Sequence, residues 1–369
     1  MAAENRHNSG RVRKILLFCV FSLLVVVTVP LIPYAIDAYA VAGKQASVEK
    51  VAALEHPAIN LWNEVRQRNE KVQGTTQVKG VDAGVLINKA GEDWRQFRIE
   101  QLVPYGAWFM GGIFGAIVLY YLLRGTQMMP GGRTGVLIPR FTLNQRTVHW
   151  FTAGVFWLLA ITGLILLYGR YVLIPVLGAE GFSVTASACK EMHNLFGPLF
   201  IVAVVAMFVL YVRHNFFNLA DLKWFAKGGG MFGGHVSAGR FNAGEKTWFW
   251  LVIIFGSALC VSGLILVLAA LVPGREILSL AHMFHGISAV LLIAVSFGHI
   301  YLGTVGVEGT LDSMTTGSVD AAWAKAHHDQ WYAEMTNDSD AVEAADQEQG
   351  SGLVEGGVPR PLASSSRVK

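Results

Sequence analysis

Residues 282–303 read HMFHGISAVLLIAVSFGHIYLG, an apolar run that is long enough to cross a lipid bilayer but contains three histidines. Two of them, His285 and His299, lie fourteen residues apart. On an α-helix this separation is about 21 Å of rise and about 1400° of rotation, which leaves both imidazoles on the same face. Because an ionisable side chain at membrane depth is costly unless something satisfies it, the spacing predicts two functional centres at two depths.

The composition of the chain is that of an integral membrane protein. Of its 369 residues, 53% are hydrophobic and only 15% are charged, whereas charged residues make up about 25% of a typical soluble domain. The net charge of +3 is too small to indicate a nucleic-acid partner. Cys19, Cys189 and Cys260 form no C-x-x-C motif, which argues against an iron–sulfur cluster, a structural zinc site or covalently attached haem. Any metal in this protein is therefore expected to be held mainly by histidine.

The two ends of the chain differ from its apolar centre. Residues 1–40 begin with a basic stretch followed by an apolar one, as in a signal peptide or a signal anchor. Residues 41–104 mix charged and apolar side chains and predict an external, periplasmic segment, whereas 105–123 predict an additional membrane span. Residues 336–369 are rich in small and acidic side chains and predict a disordered cytoplasmic tail.

Four further apolar stretches, at 149–168, 193–212, 247–271 and 282–303, predict a four-helix transmembrane bundle within residues 140–335. The connections that precede the first and third of these helices are rich in arginine and lysine, whereas the other two connections are balanced in charge. By the positive-inside bias, the basic connections are cytoplasmic. The predicted fold class is therefore an all-α membrane protein with a four-helix bundle and an additional N-terminal span.

This orientation pairs four histidines by depth. His149 and His299 fall near the cytoplasmic side, and His193 and His285 near the external side. Two histidines from facing helices, with no supporting carboxylate or thiolate, suit an axially ligated haem b best. Six-coordinate haem leaves no position for a substrate, so the pattern predicts electron transfer between two haems about 20 Å apart.

Other histidines are weaker candidates. His282 is seventeen residues from His299, which is about 1700° and leaves the two side chains about 100° apart on the helix. A histidine at a helix end is also often an interfacial residue that binds nothing. The remaining histidines are predicted to be solvated: His7, His56, His214, His235, His327 and His328.

The bundle sequence also contains a short internal repeat, ITGLIL at 161–166 and VSGLIL at 261–266. Both segments fall in the outer halves of helices that are predicted to run outwards. Gly163 and Gly263 would let a bulky group approach the backbone, although small residues also serve plain helix packing in membranes. The sequence leaves these two interpretations open.

Five separated motifs carry a family resemblance: QRTVHW (145–150), EMHNLFG (191–197), RFNAGEK (240–246), HGISAVLLIAVSFGHIY (285–301) and AAWAKAHHDQWY (321–332). In this order they resemble the cytochrome b556 (gamma) subunit of respiratory formate dehydrogenase, over about residues 140–335. The segment from LWNEVR (61–66) to GVDAGVLI (80–87) is similar to the longer proteobacterial members.

The resemblance implies a set of ligands and partners. His149 and His299 would bind an inner haem b, and His193 and His285 an outer one. Menaquinone or ubiquinone would bind beside the inner haem and contact Asn242 and Gly244, although residue chemistry alone makes Asn242 a helix N-cap.

The implied partners are an iron–sulfur (beta) subunit and a catalytic (alpha) formate dehydrogenase subunit, which would oxidise formate outside the cytoplasmic membrane. Electrons would then pass through the chain from the periplasmic side to quinone near the cytoplasmic side, in formate respiration. The chain would be a multi-pass protein of the bacterial inner membrane and would supply no catalytic residue for formate oxidation itself.

Two other functions remain open from the sequence. One is the cytochrome b subunit of a nickel–iron hydrogenase or a thiosulfate reductase, which uses the same haem arrangement with another catalytic partner. The other is a haem-free membrane anchor whose histidines merely pack. Identification of the co-purifying subunits distinguishes the first alternative, and a haem spectrum distinguishes the second.

Overall fold

The computed structural model describes residues 89–230, 236–272 and 274–337. The predicted signal or anchor segment, most of the predicted external segment, His235 and the tail beyond residue 337 lie outside these residues. Within them, five helices are long and apolar enough to cross a membrane. The predicted all-α membrane fold is therefore confirmed.

The order of the elements follows the apolar pattern of the sequence. The helices are α1 Lys89–Phe97, α2 Val103–Arg124, α3 Leu143–Val172, α4 Ile174–Tyr211, α5 Leu219–Ala226, α6 Ala243–Val267, α7 Arg275–Tyr301, α8 Asp312–Thr315 and α9 Ala321–His327. Residues 329–337 are also helical. Single turns at Arg98–Leu102, Val212–His214, Gly228–Gly230, Ala269–Leu271 and Leu302–Gly306 extend or join them. Two short strands, β1 Leu137–Pro139 and β2 Ser318–Asp320, pair antiparallel with Ile138 opposite Val319.

Four helices, α3, α4, α6 and α7, form the bundle. α3 packs along α4, α6 packs along α7, and contacts between α4 and α6 join the two pairs. The buried core between α3 and α4 includes Val155, Leu199 and Phe200. Gly256 lets α6 approach α4, because an added Cβ atom there would lie 3.1 Å from the Val204 side chain.

Large apolar side chains also cover the outside of the bundle. Val209, Ile254 and Val261 are each more than half exposed, whereas buried polar side chains such as Thr162 and Ser262 point inward. A surface of this kind is stable only against lipid, since water would not solvate so many contiguous apolar side chains.

The helices begin earlier than the apolar stretches do. α4 starts at Ile174, so the connection predicted as an external loop before residue 193 is largely helical. Near its start, Gly178 adopts a positive φ of 73°, which allows the chain to turn out of α3 and into the long part of α4. Apolar runs predict the lipid-embedded part of a helix, whereas the hydrogen-bonded backbone continues beyond the lipid.

The helix that contains the predicted extra span begins before residue 105 and packs against the bundle. Residues 89–124 are helical throughout, in α1, the π-helical turn and α2, so residues 89–104 of the predicted external segment are helical and continuous with the predicted span. Leu102 lies against Gly286 of α7, and Phe114 meets Phe297 edge to face at 5.7 Å between ring centroids. Arg98 donates a 2.8 Å hydrogen bond to the Leu166 carbonyl oxygen of α3.

The C-terminal segment folds back over one end of the bundle. Trp323 and Trp331 pack with Ile138 and Val319 on the strand pair. Gly317, at a φ of 93°, closes the turn before β2, and an added Cβ atom there would lie 2.8 Å from the Phe141 carbonyl oxygen. We call residues 312–337 the C-terminal cap, and the end of the bundle that it covers the inner end, following the predicted orientation.

Arg140 is the buried ionic centre of this contact. Its Nη2 atom donates to Glu245 Oε1 at 2.9 Å and to the Arg240 carbonyl oxygen at 3.1 Å. The guanidinium also lies over the Trp323 ring, 4.7 Å from its centroid. A buried guanidinium requires such partners because desolvation without them is costly.

His328 was predicted to be solvated, and this prediction is wrong. The side chain is 1% exposed; its Nδ1–H donates to the Gly239 carbonyl oxygen at 2.8 Å, and Nε2 accepts from Arg140 at 3.2 Å. Burial, reinforced by Arg140, lowers the pKa of His328 to about 4, despite the opposing effect of Glu245. His327 is half-buried against Trp323, and His214 is exposed as predicted.

Docking of the C-terminal cap is therefore expected to weaken in acid. Because the pKa of His328 is lower in the folded state than in the free side chain, its contribution is complete above about pH 6.5 and is lost as the pH falls towards 4, by up to about 3 kcal/mol. The rate of proteolysis within the cap of the detergent-solubilised protein, measured from pH 7 to pH 4, reports this change. His328→Gln keeps a donor and an acceptor without titrating, so it should flatten the profile; an unchanged profile would contradict the role of His328.

Candidate functional site

The four predicted ligand histidines come together in two pairs. The ring centroids of His193 in α4 and His285 in α7 are 6.0 Å apart. Those of His149 in α3 and His299 in α7 are 6.1 Å apart. All four rings are partly buried. The tertiary structure thus produces the same pairing that helix direction and depth predict.

The separation within each pair fits two axial ligands of one metal. Imidazole nitrogens bind transition metals at about 2.0–2.1 Å, so two rings on opposite sides of one metal have centroids about 6 Å apart. Among the described residues, no group of three or more His, Cys, Asp and Glu side chains could hold a metal ion. Two histidines without further protein ligands suit a metal whose remaining positions are filled by a planar macrocycle.

The helix packing leaves room between the paired histidines. α7 packs closely against α6 and α2, but among the described elements it makes no extensive backbone contact with α3 or α4. These are the helices that carry the opposite histidine of each pair. A haem group inserted between the rings would therefore lie within the bundle.

The outer pair, His193 and His285, contacts the two repeated segments of the sequence, ITGLIL (161–166) and VSGLIL (261–266). Thr162 Oγ1 lies 2.9 Å from His193 Nδ1, and Ser262 Oγ lies 3.0 Å from His285 Nδ1. Each neighbouring glycine touches the same ring, because a Cβ atom on Gly163 or Gly263 would lie 3.2 Å from the histidine Cε1 atom. The bulky groups that these glycines admit are the histidine rings themselves.

The hydroxyl contacts determine which ring nitrogen is free. Thr162 donates its own proton to the Leu158 carbonyl oxygen at 2.8 Å, and Ser262 donates to the Ala258 carbonyl oxygen at 2.6 Å. A hydroxyl that donates to the backbone can only accept from the ring, so this geometry favours a protonated Nδ1 at both histidines. Nε2 of each outer histidine would then carry the lone pair that a bound metal requires.

The inner pair, His149 and His299, has different surroundings. The Trp248 indole stacks on His299, with 4.6 Å between ring centroids and 14° between ring planes. His149 Nδ1 is buried without a hydrogen-bond partner among the described residues. An unpartnered buried nitrogen is costly, and a bound metal group would satisfy the ring that carries it.

His282 lies away from both pairs. Its ring packs on Trp94 of α1 at 5.1 Å between centroids, and its Nδ1 contacts the Leu278 carbonyl oxygen at 2.8 Å. His282 and His299 therefore point to different sides of α7, as the predicted separation of about 100° around the helix requires. His282 faces the additional N-terminal helix instead of the bundle interior.

Asn242 is the N-cap of α6. Its Oδ1 accepts from the Glu245 amide at 2.9 Å, and Glu245 Oε2 accepts from the Asn242 amide, which completes a capping box. The side-chain amide nitrogen of Asn242 makes no hydrogen bond to the described residues. Its helix also carries Trp248, which stacks on His299, so this turn adjoins the inner pair.

Gly244 is covered by an aromatic side chain. An added Cβ atom would lie 2.9 Å from Cη2 of Trp224 in α5. α5 is held against α6 by a buried ion pair, Lys246 Nζ to Asp221 Oδ2 at 2.7 Å. Packing against Trp224 is thus a sufficient reason for glycine at this position, and contact with a quinone remains a proposal.

Three side chains of the site were not singled out in the sequence: Thr162, Ser262 and Trp248. The internal repeat at 161–166 and 261–266 could have pointed to the two hydroxyls, because Thr162 and Ser262 each precede the repeated glycine. No local signal marked Trp248, because its contact with His299 depends on how α6 packs against α7.

Comparisons with known proteins agree with this geometry. A family model described as prokaryotic cytochrome b561 matches residues 140–317. The cytochrome b556(fdo) subunit of formate dehydrogenase from Escherichia coli K12 is 34% identical over 203 residues, which are 54% of this chain and 93% of that protein. This chain belongs to the family of formate dehydrogenase cytochrome b556 subunits. The motif-based resemblance is therefore confirmed.

Two further members of the family are more distant. The cytochrome b556(Fdn) subunit of the nitrate-inducible formate dehydrogenase of Escherichia coli K12 is 28% identical over 208 residues, 54% of this chain and 92% of that protein. The cytochrome b556 subunit from Haemophilus influenzae is 28% identical over 205 residues, 53% of this chain and 83% of that protein. The helices α1 and α2 precede the residues matched by the family model.

Membership establishes the general role of the chain. It is a membrane cytochrome b that functions in electron transfer, and haem b is the cofactor that the family implies. With five apolar helices, it is a multi-pass protein of the bacterial inner membrane. Its relatives are subunits of an oxidoreductase complex, so other subunits are implied.

The position of His282 generates a direct test of the ligand assignment. His285→Ala and His193→Ala should each remove one of two haems, because each takes away one axial ligand, whereas His282→Ala should retain both. Haem content per purified chain, measured from the pyridine haemochrome spectrum, distinguishes these outcomes. Loss of haem from the His282 variant alone would show that the outer pair is wrongly assigned.

Proposed function

We propose that this chain binds two b haems and carries electrons across the membrane to quinone as the cytochrome subunit of a formate dehydrogenase. His193 and His285 hold the outer haem, and His149 and His299 hold the inner one. The observation that carries the proposal is the pair of imidazole–imidazole separations, 6.0 and 6.1 Å, at two depths of one bundle. The membership of the chain in the cytochrome b556 family supports it.

The chain's own residues position the haems and keep water away from them. Haem b, when bound, supplies one-electron redox chemistry. The histidine pairs fix its position, and the apolar helices exclude water from the bundle. A haem held by two histidines would have no open position for a substrate, so each centre would serve electron transfer alone. The bundle therefore conducts electrons, and oxidation and reduction of substrates occur at its two ends.

Quinone, which the proposal takes to be menaquinone or ubiquinone, binds near the inner end. Asn242 supports this location, because its side-chain oxygen is engaged in the cap while its amide N–H groups are available to donate to a quinone carbonyl. In the same turn, the Trp224 indole lies against Gly244 and adds an apolar surface. The two protons that quinone requires for each pair of electrons come from the predicted cytoplasmic side.

Replacement of Asn242 separates its capping role from its contact with quinone. Asn242→Ser keeps an oxygen that can cap α6 but removes the amide donor, so haem content should stay intact while quinone reduction slows about tenfold, as for the loss of one hydrogen bond of about 1.4 kcal/mol. The rate of haem reoxidation after addition of a quinone analogue measures this effect.

Asn218 provides the matched control. It caps α5 through an equivalent capping box with Asp221, and it lies in the same connection of the bundle. Asn218→Ser should leave quinone kinetics unchanged. Equal slowing in both variants would indicate a general effect on this end of the protein and would contradict a specific role for Asn242.

The electron donor is proposed to be an iron–sulfur subunit with a catalytic formate dehydrogenase subunit at the outer face. This assignment is supported by the names of the relatives. Purification of the chain from its native membrane under mild detergent should recover both subunits and formate-dependent reduction of the haems. Recovery of hydrogenase or thiosulfate reductase subunits, with no reduction by formate, would overturn the assignment of formate as the electron source.

A further inference from the structure

Of the four paired histidines, only the outer two contact a side-chain hydroxyl: Thr162 lies against His193 and Ser262 against His285. We propose that these two hydroxyls lower the reduction potential of the outer haem relative to that of the inner haem, so that electrons entering at the outer end are drawn inward. The inference rests on the proposed ligand assignment. It makes Thr162 and Ser262 positioning residues, which act on the iron through the histidine rings.

The backbone carbonyls near Thr162 and Ser262 set the direction of the hydrogen bonds to the two rings. Because each hydroxyl proton is used by a backbone carbonyl one turn earlier, the hydroxyl oxygen accepts from Nδ1–H of His193 or His285. The Leu159 and Leu259 carbonyl oxygens lie 3.2 and 3.4 Å from the same two hydroxyl oxygens, so each hydroxyl proton has a second backbone acceptor close by.

A hydrogen bond at Nδ1 changes the ligand strength of Nε2. Donation of the Nδ1 proton to an acceptor raises the electron density of the ring and the basicity of the ligating nitrogen. A more basic axial ligand stabilises the oxidised, more positively charged iron and thereby lowers its reduction potential. Both ligands of the outer site receive this effect.

In the part of the chain that the structure describes, the two inner histidines lack such a hydrogen bond at Nδ1. His149 Nδ1 has no hydrogen-bond partner among the described residues, and His299 stacks on Trp248 without a hydrogen bond from its ring to another described residue. The two sites therefore differ in the hydrogen bonding at Nδ1, which sets the basicity of the ligating nitrogen, although their imidazole separations are nearly the same. The difference places the weaker electron acceptor at the outer end.

Helix stabilisation alone does not account for the arrangement. Buried Thr and Ser hydroxyls commonly bond to the carbonyl four residues earlier, with no ligand involved. Thr152 on α3 does so, to the Val148 carbonyl oxygen at 2.8 Å, and its hydroxyl makes no hydrogen bond to a histidine in the described part of the chain. At Thr162 and Ser262 the same backbone bond is combined with an imidazole contact and an adjacent glycine that admits the ring. This combination occurs twice, on two different helices.

The test is a spectroscopic redox titration of the purified full-length protein carrying Thr162→Val, Ser262→Ala or both. Each single variant should raise the midpoint potential of the outer haem, by about the 59 mV that corresponds to a tenfold change in a one-electron equilibrium, and the double variant should raise it further. The inner potential and the haem content should not change. Repeating the titration in a His149→Ala background, which retains only the outer haem, assigns the shifted signal.

Two control variants separate ligand tuning from packing. Thr152→Val removes a buried hydroxyl with the same backbone bond and should move neither potential. Thr162→Ser keeps the hydroxyl and should restore the potential of the parent protein. If Thr162→Val loses the outer haem, the titration of Ser262→Ala and Thr162→Ser decides the question.

An unchanged outer potential in Ser262→Ala and Thr162→Val, or an equal shift in Thr152→Val, would overturn the inference. A protein that retains two b haems but shows such unshifted potentials would leave the proposed function standing. Absence of b-haem absorption from the purified parent protein would instead remove the proposed function itself.

Discussion

The whole arrangement depends on holding four imidazole rings inside an apolar bundle, in two pairs about 6 Å apart. A polar ring at this depth is stable only if its nitrogens are satisfied. At the outer pair, Thr162 and Ser262 satisfy Nδ1 and leave Nε2 available to a metal. At the inner pair, Trp248 packs on His299, and the buried Nδ1 of His149 has no protein partner. α7 provides one histidine of each pair, so the helical rise between His285 and His299 sets the distance between the two pairs.

The inner end of the bundle is organised by a second set of buried polar groups. Arg140, Glu245 and His328 connect the strand pair, the start of α6 and the C-terminal cap. The same Glu245 completes the capping box with Asn242, so the proposed quinone contact is fixed by the charge cluster as well as by α6. The outer end has no equivalent cap among the described residues, and there α1 packs on α7 through Trp94 and His282. The two ends thus differ in their partners as well as in their ligand environment.

The family was recognisable because its five motifs are local, and the histidine pairing was predictable because helical rise and depth depend only on spacing. The spacing of His282, His285 and His299 also predicted which of the first two faces the bundle interior. The sequence was less informative about His328, which follows another histidine in a polar segment. Its burial requires Arg140 and Gly239, which are far from it in the chain. The extent of α4 was also missed, because apolar runs mark lipid-embedded residues and not the full length of a helix.

The sequence by itself determined the membrane class, the number of spans in the bundle and the two depths of the histidines, since these follow from hydrophobicity and helical periodicity along one chain. Only the tertiary structure decided which ring nitrogen each outer histidine leaves free, which aromatic ring stacks on His299 and what covers Gly244. Hydrogen-bond direction and side-chain contact depend on how separate helices approach one another. No periodicity within a single helix contains that information.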